Sequence, residues 1–180
     1  MVAEVVSRLP LECGLHYTIE PATVDELALI IDSWCAGQAG QPHYALVPPE
    51  IFKVEMRARV TRLLGTSRCA VARPTPLGWD VLGVAPVNRD TRSILGWVCY
   101  AYDKATQAPI IHFLYVKARY REQGVATGLA TKAAGVSRDN LWWSTHTTPR
   151  IGKLLRRCGG TWNPFLLEYV DQAHSLRRVK

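Results

Sequence analysis

A chain of 180 residues is long enough for one domain with a sizeable core, and 48% hydrophobic and 21% charged residues are ordinary for a globular protein. The net charge of +7 favours anionic partners such as nucleic acid, an acidic protein or a polyphosphate cofactor. No apolar run is long enough to span a membrane, the first residues lack the apolar core of a signal peptide, and the five cysteines occur singly. We therefore expect a reduced, cytoplasmic protein without membrane contact or bound metal.

The first elements are predicted from local signals. Residues 1–14 are expected to form an extension before a domain over residues 15–170. A short strand is predicted over Leu15–Glu20, and a capping box of Thr23 with Glu26 then begins a helix. We expect Gly37 to end this helix and a loop to follow.

A second helix is predicted from Pro49, which suits a first helical turn, to about Leu64. Its basic residues are Lys53, Arg57, Arg59 and Arg62. A charge run of this kind usually marks a solvated outer face; the alternative is a lip over an acidic substrate or nucleic acid.

Breaker residues separate short apolar segments in the rest of the chain. Three strands are predicted over residues 69–72, 79–85 and 94–101, and later strands over 141–145 and 161–170. Asn163 and Pro164 interrupt the last of these, which indicates a bulge or a sheet edge. Thr148 and Pro149 are predicted to begin a basic helix that ends at Gly159, and residues 171–180 form a basic tail.

The stretch that carries the chemistry is predicted to form a strand, a basic turn, a glycine and a helix. Ile110–Val116 is apolar, aromatic and β-branched without glycine or proline, which indicates a buried strand. Lys117, Arg119 and Arg121 follow at alternate positions, and Gly124 precedes an apolar pattern with helical spacing. A glycine before a helix lets an anion approach N–H groups that have no helical partner, so we predict a pyrophosphate-binding turn.

Two common phosphate-binding turns are excluded, because the chain has neither G-x-x-x-x-G-K-[ST] nor G-x-G-x-x-G after a strand. Residues 121–126 instead have the pattern R-x-x-G-x-A, which resembles the acyl-CoA signature of the GNAT superfamily of N-acyltransferases. The predicted order β-α-α-β-β-β-α-β-α-β is also similar to the GNAT fold. The resemblance implies a single α/β domain with a mixed, twisted sheet flanked by helices. The alternative for the six residues alone is a basic turn whose glycine serves packing.

The resemblance also implies a cofactor and its binding positions. In the GNAT family the strand before the signature contacts the pantetheine arm of acyl-CoA, and amides of the loop hold the pyrophosphate. Acetyl-CoA, or another acyl-CoA, is therefore the expected cofactor. The cofactor-binding residues by this resemblance are Leu114, Tyr115, Val116, Arg119, Arg121, Glu122, Gln123, Gly124, Val125, Ala126 and Thr127.

The expected proton acceptor is a histidine. GNAT proteins often place a carboxylate on the central strand, which this chain lacks, and His112 is the ordinary base there. We expect His112 to share strand parity with Leu114 and Val116 and, as a neutral imidazole, to accept a proton near pH 7. The alternative is a packed, structural histidine, and His146, after the neighbouring strand, is the rival base.

The residue that would protonate the departing thiolate of CoA differs from the family pattern. Family members often have a tyrosine in the last helix, and none precedes Gly159 here. Tyr115 or Tyr169 is the candidate replacement, and Cys158 is expected to be an inert core residue.

The resemblance thus implies an N-acetyltransferase that acts on an amine of a protein or a small molecule. The missing groups keep a second class open, a catalytically silent GNAT-fold protein that engages a host protein or nucleic acid. Residues 95–100 and 112–117 also resemble GNAT-type proteins of tailed bacteriophages, which implies the host cytoplasm as the location and a host protein as a possible acceptor. The basic residues of the last helix are expected to meet whatever approaches the acyl group, with at most weak, non-specific nucleic-acid binding.

Overall fold

The computed structural model describes residues 16–75, 93–146 and 148–166. One six-stranded sheet has its strands in chain order: β1 (Tyr17–Pro21), β2 (Arg68–Pro74), β3 (Gly96–Tyr102), β4 (Pro109–Val116), β5 (Trp143–Ser144) and β6 (Thr161–Trp162). The first four strands are antiparallel to their neighbours, whereas β4, β5 and β6 run parallel. The predicted mixed α/β sheet is confirmed. The predicted strand over 79–85, the extension and the basic tail lie outside the described residues.

In the residues that the structure describes, four α-helices flank this sheet: α1 (Leu27–Ala39), α2 (Pro49–Thr66), α3 (Val125–Gly128) and α4 (Pro149–Cys158). The last turns of the predicted central helix, Leu129–Ala133, continue α3 with π-helical hydrogen bonding. Within the described ranges, no helix has the length and apolar character needed to cross a bilayer.

Two apolar layers place these helices on opposite faces of the sheet. On one face, α1 and α2 contribute Ile30, Trp34, Met56, Val60 and Leu63, which pack with Trp97 and Phe113 of the sheet. On the other face, α3, its π-helical extension and α4 pack with Ile111 and Val116. The two sides of β4 therefore face two different sets of helices.

The start of α1 is fixed by its predicted capping box. The Thr23 N–H donates to Glu26 Oε2 at 2.7 Å, and Glu26 also forms a buried ion pair with Arg73 of β2. The predicted end at Gly37 is wrong, because the helix continues to Ala39. Gly37 instead permits close packing, since a Cβ there would lie 2.8 Å from the Phe113 ring.

A bulge in β4 overturns the predicted parity of His112. Cys99 lies opposite Phe113 and Tyr100 opposite Ile111, so His112 is an extra residue without a partner on β3. A bulge restarts the alternation of side chains along a strand. His112 and Phe113 consequently both lie on the α1–α2 side, whereas Leu114 and Val116 belong to the other face.

The last elements are shorter than predicted. β5 has two residues, and β6, an edge strand as expected, ends at Trp162. The Asn163 side chain accepts the Phe165 N–H at 3.1 Å, and Pro164 has no N–H for a ladder, so the strand stops there. The predicted cap of α4 is confirmed, because Thr148 Oγ1 accepts the Ile151 N–H at 3.1 Å.

Candidate functional site

The loop between β4 and α3 has an unusual backbone. Glu122 and Gly124 both adopt left-handed conformations, with φ of 65° and 78°. In the described part of the chain, the N–H groups of Glu122, Gln123 and Gly124 donate to no protein acceptor. Successive amides in a loop of this kind form a concave site for an anion. We call residues 121–126 the amide loop.

Side chains hold the amide loop against the sheet. Arg121 Nε donates to the Val116 carbonyl at 3.1 Å, and the Tyr17 hydroxyl donates to the Gly124 carbonyl at 3.2 Å. The exposed Arg119 guanidinium lies over the Tyr120 ring, 4.6 Å from its centroid. Burial and the neighbouring Arg119 charge lower the pKa of Lys117. Arg121 therefore positions the loop at the end of β4.

β4 and β5 diverge shortly after they pair. β5 pairs with Ile110 and Ile111, and the Thr145 N–H then donates to the Ile111 carbonyl at 3.0 Å. Beyond His112, no described strand pairs with this edge of β4. Apart from the Val116 carbonyl, which accepts Arg121 Nε, the backbone of Leu114–Val116 is therefore open on the side from which β5 has turned away.

A cavity of about 470 Å³ lies near this divergence, on the α1–α2 side of the sheet. Its walls come from α1, α2, the bulge of β4, the residues after β5 and the turn after β6. The volume is in the range of small-molecule sites. His112 and His146, the two predicted bases, both line it.

His112 is 1% exposed and is held by its neighbour Thr145. Thr145 Oγ1 lies 3.4 Å from both the His112 carbonyl oxygen and His112 Nδ1, whereas the buried Nε2 has no hydrogen-bond partner. Burial lowers the pKa of His112 to about 4, so the ring is neutral at physiological pH. The His112 ring is therefore neutral, as expected, but a pKa of about 4 means that it does not titrate near pH 7.

His146 is partly exposed, but its Nδ1 is buried and without a partner. The ring stacks on Phe113, with centroids 4.7 Å apart. Burial lowers the pKa of His146 to about 4. The structure thus brings both candidate bases to one cavity.

Other predicted residues are not brought to this cavity. Tyr115 packs beside Trp97 and does not line it, and Cys158 is buried on the opposite face. Tyr169 lies outside the described residues. The basic side chains of α4 are exposed and none of them lines the cavity: Arg150, Lys153, Arg156 and Arg157.

Comparison with protein-family models matches residues 63–159, more than half of the chain, to the acetyltransferase (GNAT) family. The chain belongs to the GNAT family. The match spans β2 to α4 and so includes the amide loop and both histidines. Membership suggests acyl-CoA-dependent N-acetyltransferase activity and leaves the acceptor open. Comparison with curated protein sequences found no match.

Solved structures share the fold of this GNAT chain at low sequence identity. The Bacillus subtilis protein YycN is 14% identical, with a TM-score of 0.57 over 80% of this chain and 91% of its own. A Corynebacterium glutamicum protein, described as histone acetyltransferase HPA2 and related acetyltransferase, is 16% identical, with a TM-score of 0.51 over 78% of this chain and 82% of its own. At these identities the likeness concerns the fold alone.

The amide loop of this GNAT chain fits a pyrophosphate group. Its unsatisfied N–H groups are donors that an anion requires, and an added Cβ at Gly124 would meet no protein atom within 4 Å. The left-handed φ of Gly124 strains any other residue at this position.

Several cavity residues were missed by the sequence prediction. For Arg59 and the other basic residues of α2, the sequence left a solvated face or a lip over an acidic substrate or nucleic acid as alternatives. Arg59 is half-buried and lines the cavity. Its spacing from the buried Met56 and Leu63 is the signal that could have found it. Trp162, in the predicted last strand, is 50% exposed and lies at the cavity.

Proposed function

We propose that this GNAT protein transfers the acetyl group of acetyl-CoA to the amine of a small molecule. The proposal rests on three structural features that are arranged in order along β4. Unsatisfied amides of Glu122, Gln123 and Gly124 lie at one end, an open strand edge follows, and a cavity with two unpartnered histidine nitrogens lies at the other. Family membership supports the reaction class.

The amide loop and the open edge are the donor half of the proposed site. The N–H groups of residues 122–124 would hold the pyrophosphate, and the backbone of Leu114–Val116 would hold the pantetheine arm. The four steps from Val116 to His112 span about 13 Å, at about 3.3 Å per residue. An extended arm along this edge would bring its far end to the cavity. Acetyl-CoA supplies the activated acyl thioester there.

Thr145 sets the tautomer of His112 in this proposal. When its hydroxyl donates to the His112 carbonyl, its oxygen remains free to accept the Nδ1 proton. The proton then lies on Nδ1, and the unpartnered Nε2 carries the lone pair. His112 Nε2 can thus accept a hydrogen bond from the amine or from an intervening water.

His146 is the second acceptor, held by its stacking on Phe113. An imidazole with a pKa of about 4 binds a proton weakly at neutral pH. Both histidines would therefore orient a neutral amine and pass its proton to water, and neither would store it. The pH dependence of transfer should follow the pKa of the amine itself.

The proposed proton donor to the leaving thiolate is Tyr44. Tyr115, the candidate from the sequence, packs beside Trp97 and does not line the cavity. Tyr44 is the tyrosine among the described lining residues. A positioned phenol can supply the proton that a departing thiolate needs.

The proposal is tested by incubating the protein with acetyl-CoA and a panel of amines that are cationic, neutral or anionic overall. Release of free thiol should depend on an amine, and the product should gain one acetyl group by mass spectrometry. Binding of acetyl-CoA without transfer to any amine would contradict catalysis and favour a silent GNAT-fold binding protein. Failure to bind acetyl-CoA at all would contradict the proposed transferase function and the assignment of the amide loop to the cofactor.

A further inference from the structure

The cavity has an electrostatic character that the family assignment does not give. Among its described lining residues there is no aspartate, glutamate or lysine, and Arg59 is the one permanent charge. The low pKa values of His112 and His146 keep both rings neutral. The cavity therefore combines one permanent positive charge with uncharged polar side chains and one further histidine, His43.

Arg59 differs from its neighbour on α2, Arg57. The exposed Arg57 forms an ion pair with Asp32 at 2.6 Å, outside the cavity. Arg59 is half-buried between the positions of Met56 and Leu63, and no described carboxylate forms an ion pair with it. A half-buried guanidinium without a carboxylate partner is a recognition element for an anion.

Most of the remaining wall is aromatic or apolar. Trp34 and Tyr44 line the cavity, together with Met56. At its edge, Trp162 is 50% and Phe165 is 72% exposed. Large apolar side chains that are exposed beside a cavity indicate a surface that a ligand covers.

We propose that the acceptor is a small aromatic amine that carries one anionic group, such as a carboxylate, with Arg59 as the residue that recognises the anion. The ring lies against the aromatic wall and the amine faces His112 and His146. The inference rests on the proposed function, because it names the acceptor class of that same site. Free aromatic amino acids and aminoaryl carboxylates belong to this class.

The same features select against polycations. A polyamine or a lysine-rich peptide would bring positive charge beside Arg59, and no described carboxylate lines the cavity to compensate. Like charges in a partly desolvated site repel each other strongly. The single positive charge of Arg59 therefore determines which amines are excluded as well as how tightly an anionic amine binds.

The test uses L-phenylalanine and L-phenylalaninamide, which share a ring and an amine but differ in the negative charge. Calorimetric titration of the full chain without acetyl-CoA should show tighter binding of the acid, by roughly tenfold or more, the loss expected for one charged hydrogen bond. Arg59→Gln should remove this preference. Arg57→Gln, which removes an equal charge from the same helix outside the cavity, should preserve it.

The outcomes separate this inference from the proposed function. Preference for the acid that depends on Arg59 but not on Arg57 supports recognition of the anion by Arg59. If acetyl-CoA then fails to bind, the proposed function falls and the cavity remains a binding site for this class of ligand. Equal binding of acid and amide, or a preference that survives Arg59→Gln, overturns the inference. Tighter binding of spermidine than of phenylalanine also overturns it, even if acetyl transfer to spermidine upholds the proposed function.

Discussion

The amide loop and the cavity are built in opposite ways. The loop is contiguous, and its unsatisfied donors are backbone N–H groups whose directions depend on the left-handed conformations of Glu122 and Gly124. The cavity is assembled from side chains of several separate elements. Its polar side chains are those of Gln38, His43, Tyr44, Arg59, His112, Thr145 and His146.

This difference indicates which ligand is recognised through the shared fold and which is recognised through side chains particular to this chain. A backbone site tolerates changes of side chain as long as the conformation remains, so it suits a ligand that a whole family shares. A side-chain site changes its charge and shape with single substitutions, so it suits an acceptor particular to one protein. Substitutions in the loop should affect acetyl-CoA and those in the cavity should affect the acceptor.

The largest effect is expected from Gly124→Val. A side chain at this left-handed position strains the loop and occupies the space in front of its amides. Saturating acetyl-CoA should stabilise the wild type by about 2.7 kcal/mol at a hundred times its Kd, and the variant by almost nothing, measured as a shift in melting temperature.

Gly135→Val is the matched control for this loss. Gly135 has a φ of 72° and equally open surroundings, but it lies beyond the helix that follows the loop. This variant should lose similar intrinsic stability and keep the acetyl-CoA shift. If both variants lose the melting-temperature shift with acetyl-CoA, general backbone strain explains the loss and not a blocked amide loop.

The next effect is expected from the cavity histidines. His112→Gln and His146→Gln should each slow single-turnover acetyl transfer by about 10²-fold, the lower end for a general base, without weakening acetyl-CoA binding. His16→Gln, an exposed histidine beside β1, should leave the rate unchanged. Slowing of less than about tenfold in both cavity variants would show that neither histidine moves the proton.

Acid should destabilise the wild type more than a cavity variant. Burial lowers the pKa of both histidines from 6.5 to about 4, so the unfolded chain binds more protons between these values. Stability is complete above pH 6.5 and is lost as the pH falls towards 4, by about 1.4 kcal/mol per histidine for each unit below 6.5. Urea unfolding at about pH 7 and about pH 5 should show a smaller loss, by roughly 2 kcal/mol or more, in the His112→Gln, His146→Gln double variant. An equal loss in both proteins would contradict the buried, neutral histidines.

The smallest effect concerns α4. We expect only weak DNA binding, with a Kd of about 10⁻⁴–10⁻⁶ M, and Arg156→Glu with Arg157→Glu should weaken it without changing acetyl-CoA affinity. Fluorescence anisotropy with duplexes of different sequence tests this. Tight, sequence-selective and salt-resistant binding would favour a nucleic-acid function over acetyl transfer.

The sequence was sufficient wherever the deciding contacts are local. The caps by Thr23 and Thr148 lie within three residues of their partners, and the R-x-x-G-x-A pattern lies within one loop. The incorrect predictions concern residues whose conformation depends on contacts with distant parts of the chain. Gly37 lies inside a helix because Phe113 packs against it, and His112 changed face because β3 pairs with β4 through a bulge.

The cavity could not be predicted for the same reason. A helical charge pattern does not show that Arg59 and the turn after β6 line one cavity, and no local signal shows that Trp162 borders it. The sequence analysis treated His112 and His146 as alternative bases and did not predict that both line one cavity. Their depressed pKa values depend on burial by α1 and α2, which no local pattern reveals.

The most direct test of the account is amide hydrogen exchange, followed by mass spectrometry, with acetyl-CoA and with phenylalanine in separate samples. Acetyl-CoA should slow exchange in the peptide that covers residues 121–126, because its pyrophosphate would engage the unsatisfied amides of Glu122, Gln123 and Gly124. Phenylalanine should instead slow exchange in peptides from the facing parts of α1 and α2 and leave the amide loop unchanged. If acetyl-CoA binds and exchange over residues 121–126 stays as fast as in the free protein, the central claim, that these amides hold the cofactor, is contradicted.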